Sequence, residues 1–192
     1  MTLEAKTRKP RAGLLLVASP RFKNLSGPKR GTYGERKEKA VEEIKASMDF
    51  LELVDPGIVY EREDAEKALK LFFQKDVDFV YAEFLSWSED FAWIRFLRDC
   101  PAMPIIFANV AKPRMTFETT LDEDDFVDYL CAGTLVGSLE GSGSIKRIPR
   151  KGVKTVMGTR EEITEKVRVF AEAARVRASL RATSVMETSF RR

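Results

Sequence analysis

One stretch constrains the fold more than any other: residues 77–110. An apolar run enters, Val77-Asp78-Phe79-Val80-Tyr81-Ala82-Glu83, and the polar corner Phe84-Leu85-Ser86-Trp87-Ser88-Glu89-Asp90 follows. Helical spacing then runs to Asp99, and a second apolar run, Pro104-Ile105-Ile106-Phe107-Ala108-Asn109-Val110, leaves. Parallel strands must be joined by a crossover, ordinarily a helix, so the pattern predicts a parallel strand–loop–helix–strand unit. In such sheets ligands meet the loops at the carboxyl ends of the strands, which makes the corner at 84–90 the first place to look for a site.

The rest of the chain repeats this alternation. Ala12-Gly13-Leu14-Leu15-Leu16-Val17 reads as a buried first strand, followed by a loop rich in Gly, Pro and basic residues up to Gly34. From Glu35, Ala40, Val41, Ile44, Met48 and Leu51 recur at helical spacing. Leu53-Val54 and Ile58-Val59-Tyr60 form a second strand region broken by Asp55-Pro56-Gly57, since proline cannot donate to a ladder. Ala65, Ala68, Leu69 and Phe72 give a helix before the 77–110 unit.

After Val110, Thr120-Leu121-Asp122-Glu123 fits a capping box opening one long helix, with Phe126, Val127, Leu130, Cys131, Thr134 and Ser138 on one side. Gly133, Gly137 and Gly141 fall a turn apart, spacing that a close-packed neighbour explains. Gly141-Ser142-Gly143-Ser144 reads as a turn and Val153-Lys154-Thr155-Val156-Met157 as a short strand. Thr159-Arg160-Glu161-Glu162 caps a last helix with Ile163, Val167, Phe170 and Ala174 inward. The expectation is an α/β fold, Rossmann-like or flavodoxin-like: a mainly parallel sheet with helices on both faces, a single domain over 1–181 and a polar tail over 182–192.

Composition narrows the chemistry. The 192 residues suffice for one domain with a core, and 44% apolar with 33% charged content is globular. A net charge of +3 without a concentrated patch argues against nucleic acid. No apolar stretch is long enough for a membrane span, and residues 1–10 are too polar for a secretion signal. Cys100 and Cys131 are isolated, which argues against a disulfide framework and, with the rest, places the chain in the cytoplasm. Histidine is absent, so Ser-His-Asp and Cys-His catalysis and His-ligated metal sites are excluded from this chain acting alone.

The candidate ligand residues are Trp87, Ser86, Ser88, Lys112, Arg114 and Glu140. Ser86 and Glu89 fit S-x-x-E, whose ordinary account is a helix start. A cap does not require Trp87, which can stack on a sugar ring or cover the core. Lys112 and Arg114 follow the next strand, where two cations can hold a hydroxyl-rich or anionic ligand or stay as solvated loop charges. Glu140 with the Gly-Ser turn offers a carboxylate, amides and hydroxyls, though such a turn also ends helices. No Walker lysine and no G-x-G-x-x-G follows the first strand. The basic clusters at Lys29-Arg30, Arg36-Lys37 and Lys146-Arg147 to Arg150-Lys151 read as solvated surface, and Asp122-Glu123-Asp124-Asp125 as complementing a helix dipole.

Three stretches carry a family resemblance: Glu83 to Phe91, Phe107-Ala108-Asn109-Val110-Ala111-Lys112-Pro113-Arg114, and Tyr129-Leu130-Cys131-Ala132-Gly133-Thr134-Leu135-Val136-Gly137-Ser138-Leu139-Glu140. They resemble the amino-terminal region of the L-fucose and L-arabinose isomerase superfamily, most of all its fucose isomerase-like proteins. The resemblance implies a Rossmann-like amino-terminal domain, oligomeric assembly and a part in a sugar pocket, with Trp87 matching an aromatic that reaches the sugar. In that family the acids of the aldose–ketose interconversion and the ligands of its divalent metal, typically manganese, lie in later domains. The expectation is therefore a domain that is inactive alone, needs no cofactor of its own, and meets a sugar or polyol within a homo-oligomer. A stand-alone sugar-binding module and a pure assembly domain are the alternatives. The chain stops where a second domain's first strand is expected, which a truncated product, an isolated domain and a natural module explain equally.

Overall fold

The computed structural model describes residues 8–111, 122–131, 134–148 and 150–189. Strands β1 (Arg11–Val17), β4 (Glu52–Val54), β5 (Phe79–Phe84), β6 (Ile105–Val110) and β7 (Val153–Gly158) form one sheet in the order β4-β1-β5-β6-β7. Every neighbouring pair in it is parallel. A small antiparallel hairpin, β2 (Ser26–Gly27) with β3 (Gly31–Thr32), branches from the loop after β1 and has no counterpart in the sequence reading.

The central strands are buried along almost their whole length, as their continuous apolar runs require when helices cover both faces. Alternate side chains feed two cores. Leu14, Leu16, Tyr81 and Ile106 pack toward α1 (Tyr33–Ser47), α4 (Glu123–Cys131) and α6 (Arg160–Ser189). Leu15, Val17, Val80 and Phe107 pack toward α2 (Arg62–Gln74), α3 (Phe91–Asp99) and α5 (Thr134–Arg147). The expected α/β fold with helices on both faces of a parallel sheet is what the chain adopts. Among the described residues no helix is long and apolar enough to cross a membrane.

Counting only sheet strands, the order is 2-1-3-4-5, the flavodoxin-like arrangement. From β1 the chain moves outward to β4, then returns across β1 to β5. The loops leaving β1 and β5 therefore diverge, and a crevice opens above their carboxyl ends.

Several local readings change. Of the long helix expected over 126–140, the described residues show α4 up to Cys131 and α5 from Thr134, and Gly141-Ser142-Gly143-Ser144 lies inside α5 rather than in a turn. The reason is packing: a Cβ at Gly137 would stand 2.7 Å from the Ser86 carbonyl oxygen, and one at Gly141 would stand 2.5 Å from Cζ of Phe107. Glycine lets the helix axis approach the strand ends closely. Gly133 and Thr120 lie outside the described residues.

The acidic run also does more than complement a dipole. Asp122 caps α4 by accepting the Asp125 N–H at 2.8 Å. Buried Asp124 accepts the backbone N–H groups of Lys29 and Arg30 at 3.0 and 2.9 Å and pairs with Arg36 at 2.8 Å. Arg30 reaches Asp125 at 2.9 Å. These basic residues, read as solvated surface, instead clamp the hairpin to α4. The break at Asp55-Pro56-Gly57 is as expected; the chain rejoins the sheet at Val59, which bridges Val17. The Thr159–Glu162 box opens α6 as read, with reciprocal bonds of 3.0 and 3.3 Å, and α6 continues to Ser189 across the stretch read as polar tail.

Candidate functional site

The site begins with the way α1 is started. The Thr32 hydroxyl accepts the Glu35 N–H at 3.1 Å while the Glu35 carboxylate accepts the Thr32 N–H at 2.7 Å, a complete capping box. This fixes Tyr33 as the first helical residue and Lys37 one turn later, both buried and both aimed at the end of β5. The Tyr33 hydroxyl accepts the Ser19 N–H at 3.3 Å and shares a hydrogen bond with Ser86 Oγ. Lys37 Nζ donates to the Leu85 carbonyl at 2.5 Å.

The corner at 84–90 continues β5 by one bond, Leu85 N–H to Val17 O at 2.8 Å, and then turns outward. Ser86 and Glu89 do not make the capping box that their spacing suggests. Helix α3 is preceded by Asp90 as its N-cap, and that cap makes no side-chain hydrogen bond. Glu89 is recruited by the loop after β1 instead, pairing with Arg21 at 2.5 Å and accepting the Ser19 hydroxyl at 3.2 Å, and Ser86 by Tyr33 of α1. Tertiary charge partners displace the local cap. Asp90 pairs with Arg147 at 2.7 Å and accepts a hydrogen bond from the Ser144 hydroxyl, tying the corner to α5.

Trp87 is half-buried at the rim, whereas Trp93 is fully enclosed and donates its indole N–H to the Gly141 carbonyl at 3.0 Å. The Trp87 ring lies against Phe22 with centroids 5.4 Å apart, and the Arg21 guanidinium carbon is 5.9 Å from its centroid. Its indole N–H lies close enough to the Glu140 carboxylate of α5 to favour the charged form. Partial burial, and then the charges of Asp90 and Glu89, push the Glu140 carboxyl above the usual glutamate range. Those two acids have cationic partners; among the described residues, Glu140 has no ion pair.

Of the residues singled out from the sequence, the structure brings Trp87 and Glu140 together. Ser86 and Ser88 are at the corner but buried, with hydroxyls turned to the Trp87 and Glu89 carbonyls at 2.9 and 3.2 Å. They shape the corner. Lys112 and Arg114 lie outside the described residues. Sequence reasoning missed Ser19, Arg21, Phe22 and Tyr33, and Lys37, read as solvated surface, is instead buried with its Nζ on the Leu85 carbonyl. The T-x-x-E signature at Thr32 was available, and it would have placed Tyr33 and Lys37 on one helix face.

A second charged cluster lies beneath α6. The Arg160 guanidinium holds both oxygens of buried Glu83 at 2.8 Å, and Tyr81 donates its hydroxyl to the same carboxylate. Burial, then the charge of Glu83, push the Tyr81 phenol well up. The cluster fastens the first turn of α6 to the middle of the sheet.

Chemically, the rim offers a partly open indole face, a carboxylate without an ion pair, and a flanking guanidinium. Such a set suits a neutral polyhydroxyl ligand: C–H groups lie on the ring and adjacent hydroxyls donate to the carboxylate. Among the described residues no three acids or thiols converge as a metal ion such as manganese requires. No protein-family model matches the chain, and comparison with curated proteins finds no match.

Proposed function

We propose that this chain is the amino-terminal domain of a sugar isomerase-like protein, which presents the switch-point rim to an aldose or ketose and is inactive by itself. The supporting observation is the pairing of half-buried Trp87 with Glu140 above the carboxyl ends of β1 and β5. In this reading the sugar stacks on Trp87, Glu140 accepts its hydroxyls, and the proton-transfer acids and metal ligands come from other domains of a homo-oligomeric assembly. The same geometry favours a second reading, a binding module that holds a sugar on its own, because the aromatic and the carboxylate both belong to this chain.

Calorimetry of the purified chain with L-arabinose, L-fucose and related pentoses and deoxyhexoses tests both readings. Binding that is lost in Trp87→Ala and Glu140→Ala favours the self-sufficient module. No binding by the chain alone, with binding restored in an assembly that carries the metal-binding domains, favours the amino-terminal domain. Metal-dependent isomerisation by the pure chain overturns the claim that it is inactive alone.

A further inference from the structure

The corner owes its position to two side chains that are not part of it. Tyr33 is fully buried and Lys37 is 1% exposed, on adjacent turns of α1. A single oxygen, the Tyr33 hydroxyl, bonds Ser19 of the loop after β1 and Ser86 of the loop after β5, so it spans the two sides of the crevice. The Lys37 ammonium lies 5.4 Å from the Tyr33 ring centroid and holds the Leu85 carbonyl, the last backbone group before the corner turns outward. Lysine is almost never this buried, and an apolar side chain of similar volume ordinarily stabilises a core at least as well as a buried charge. What the ammonium and the phenol supply is direction: they fix one carbonyl and one hydroxyl immediately before Trp87.

We infer that Tyr33 and Lys37 are positioning residues for the rim site, acting through Leu85 and Ser86 to hold Trp87 beside Glu140. The inference takes its ligand from the proposed sugar-binding reading, but its geometry stands apart from that reading. A merely structural pair would contribute stability and leave the corner where it is.

The test uses Tyr33→Phe and Lys37→Met, with Tyr81→Phe as the control for loss of a buried hydroxyl elsewhere. Acrylamide quenching of tryptophan emission reads Trp87 selectively, because Trp93 is enclosed. Tyr33→Phe is expected to melt cooperatively and to raise the quenching constant about twofold, as a loop freed from its ties opens locally. Tyr81→Phe is expected to lower the melting temperature and leave quenching unchanged. If Lys37→Met does not fold, Tyr33→Phe decides alone. A lowered melting temperature with unchanged quenching in Tyr33→Phe overturns the inference. Where the wild type binds L-arabinose, Tyr33→Phe should weaken it about tenfold, roughly 1.4 kcal/mol. Absence of wild-type binding counts against a sugar site in the isolated chain, and quenching still decides the positioning role.

Discussion

The Trp87 indole N–H and the Glu140 carboxylate lie side by side across the gap between the β5 corner and helix α5. The contact joins two elements 53 residues apart, at a point where both side chains are only partly buried. It also sets a titratable group beside the corner, since partial burial and then the charges of Asp90 and Glu89 hold the Glu140 carboxyl above its ordinary range.

A raised carboxyl pKa in the folded state means that folding favours protonated Glu140. Its contribution to stability is full below the unfolded value, about pH 4.3, and is lost as pH rises through the raised folded value. Glu140→Gln should therefore gain stability relative to wild type as pH rises from acid toward neutral, and the difference should shrink again in acid. Glu35 and Asp122, held below the ordinary range chiefly by backbone N–H donors, impose the opposite trend on both proteins and cancel in the comparison. Urea midpoints across this pH range measure it; a difference that does not change with pH contradicts it.

The glycines of α5 separate two roles. A Cβ at Gly137 meets the Ser86 carbonyl at 2.7 Å, whereas one at Gly143 meets nothing within 4 Å. Gly137→Leu should cost on the order of 1–3 kcal/mol through overpacking, and should displace the corner. Gly143→Ala should stabilise by up to about 1 kcal/mol, the helix-propensity difference. Denaturant melts of the two variants are the check, and equal effects would place Gly137 away from the corner.

The fold was legible where single stretches determine it. The runs at 12–17, 79–84 and 105–110 are apolar on both faces, and only strands covered on both sides satisfy them. The corner was legible as a location, because a loop at the carboxyl end of a parallel strand is defined by topology. Its internal wiring was not. Ser86 and Glu89 carry a genuine capping signature, and nothing local says that Tyr33, Ser19 and Arg21 will claim their side chains first. The Gly-Ser stretch of α5 failed for the same reason: Gly141 answers to Phe107, as Gly137 one turn earlier answers to the Ser86 carbonyl, not to a turn. Propensity lost to tertiary contact in both places.

Glu83 and Arg160 provide a test of buried charge. Glu83 is 6% exposed, and its two oxygens take Arg160 in a forked pair while also accepting the Tyr81 hydroxyl. Glu83→Ala leaves a guanidinium and a phenol without their acceptor and should cost roughly 3–5 kcal/mol. Glu83→Gln retains shape and one acceptor and should cost less. Replacing the residue by leucine tests whether the charge matters for stability at all, since well-packed apolar groups often equal a buried ion pair. Equilibrium unfolding of the three variants is the measurement, and an alanine variant as stable as wild type would show that the cluster is not closed.

The two tryptophans give the clearest contrast between a core residue and a rim residue. Trp93 is fully enclosed, stacked 5.3 Å from Phe107 and bonded to the Gly141 carbonyl, so Trp93→Ala empties a core site and should cost about 3–5 kcal/mol. Trp87 loses less on truncation, because solvent already reaches its ring and the contacts removed are those with Phe22, Arg21 and Glu140. Trp87→Ala should cost about 1–2 kcal/mol, in the range of ordinary point mutants. It should also free Arg21 and Glu140 at the rim, so any sugar affinity falls by more than stability does. Trp87→Phe keeps an aromatic face but removes the N–H beside Glu140, and should recover most of the stability and only part of the binding. The measurements are paired: guanidinium unfolding for stability and sugar titration for the rim. Equal destabilisation by the two alanine variants would make Trp87 a core residue and remove it from the site.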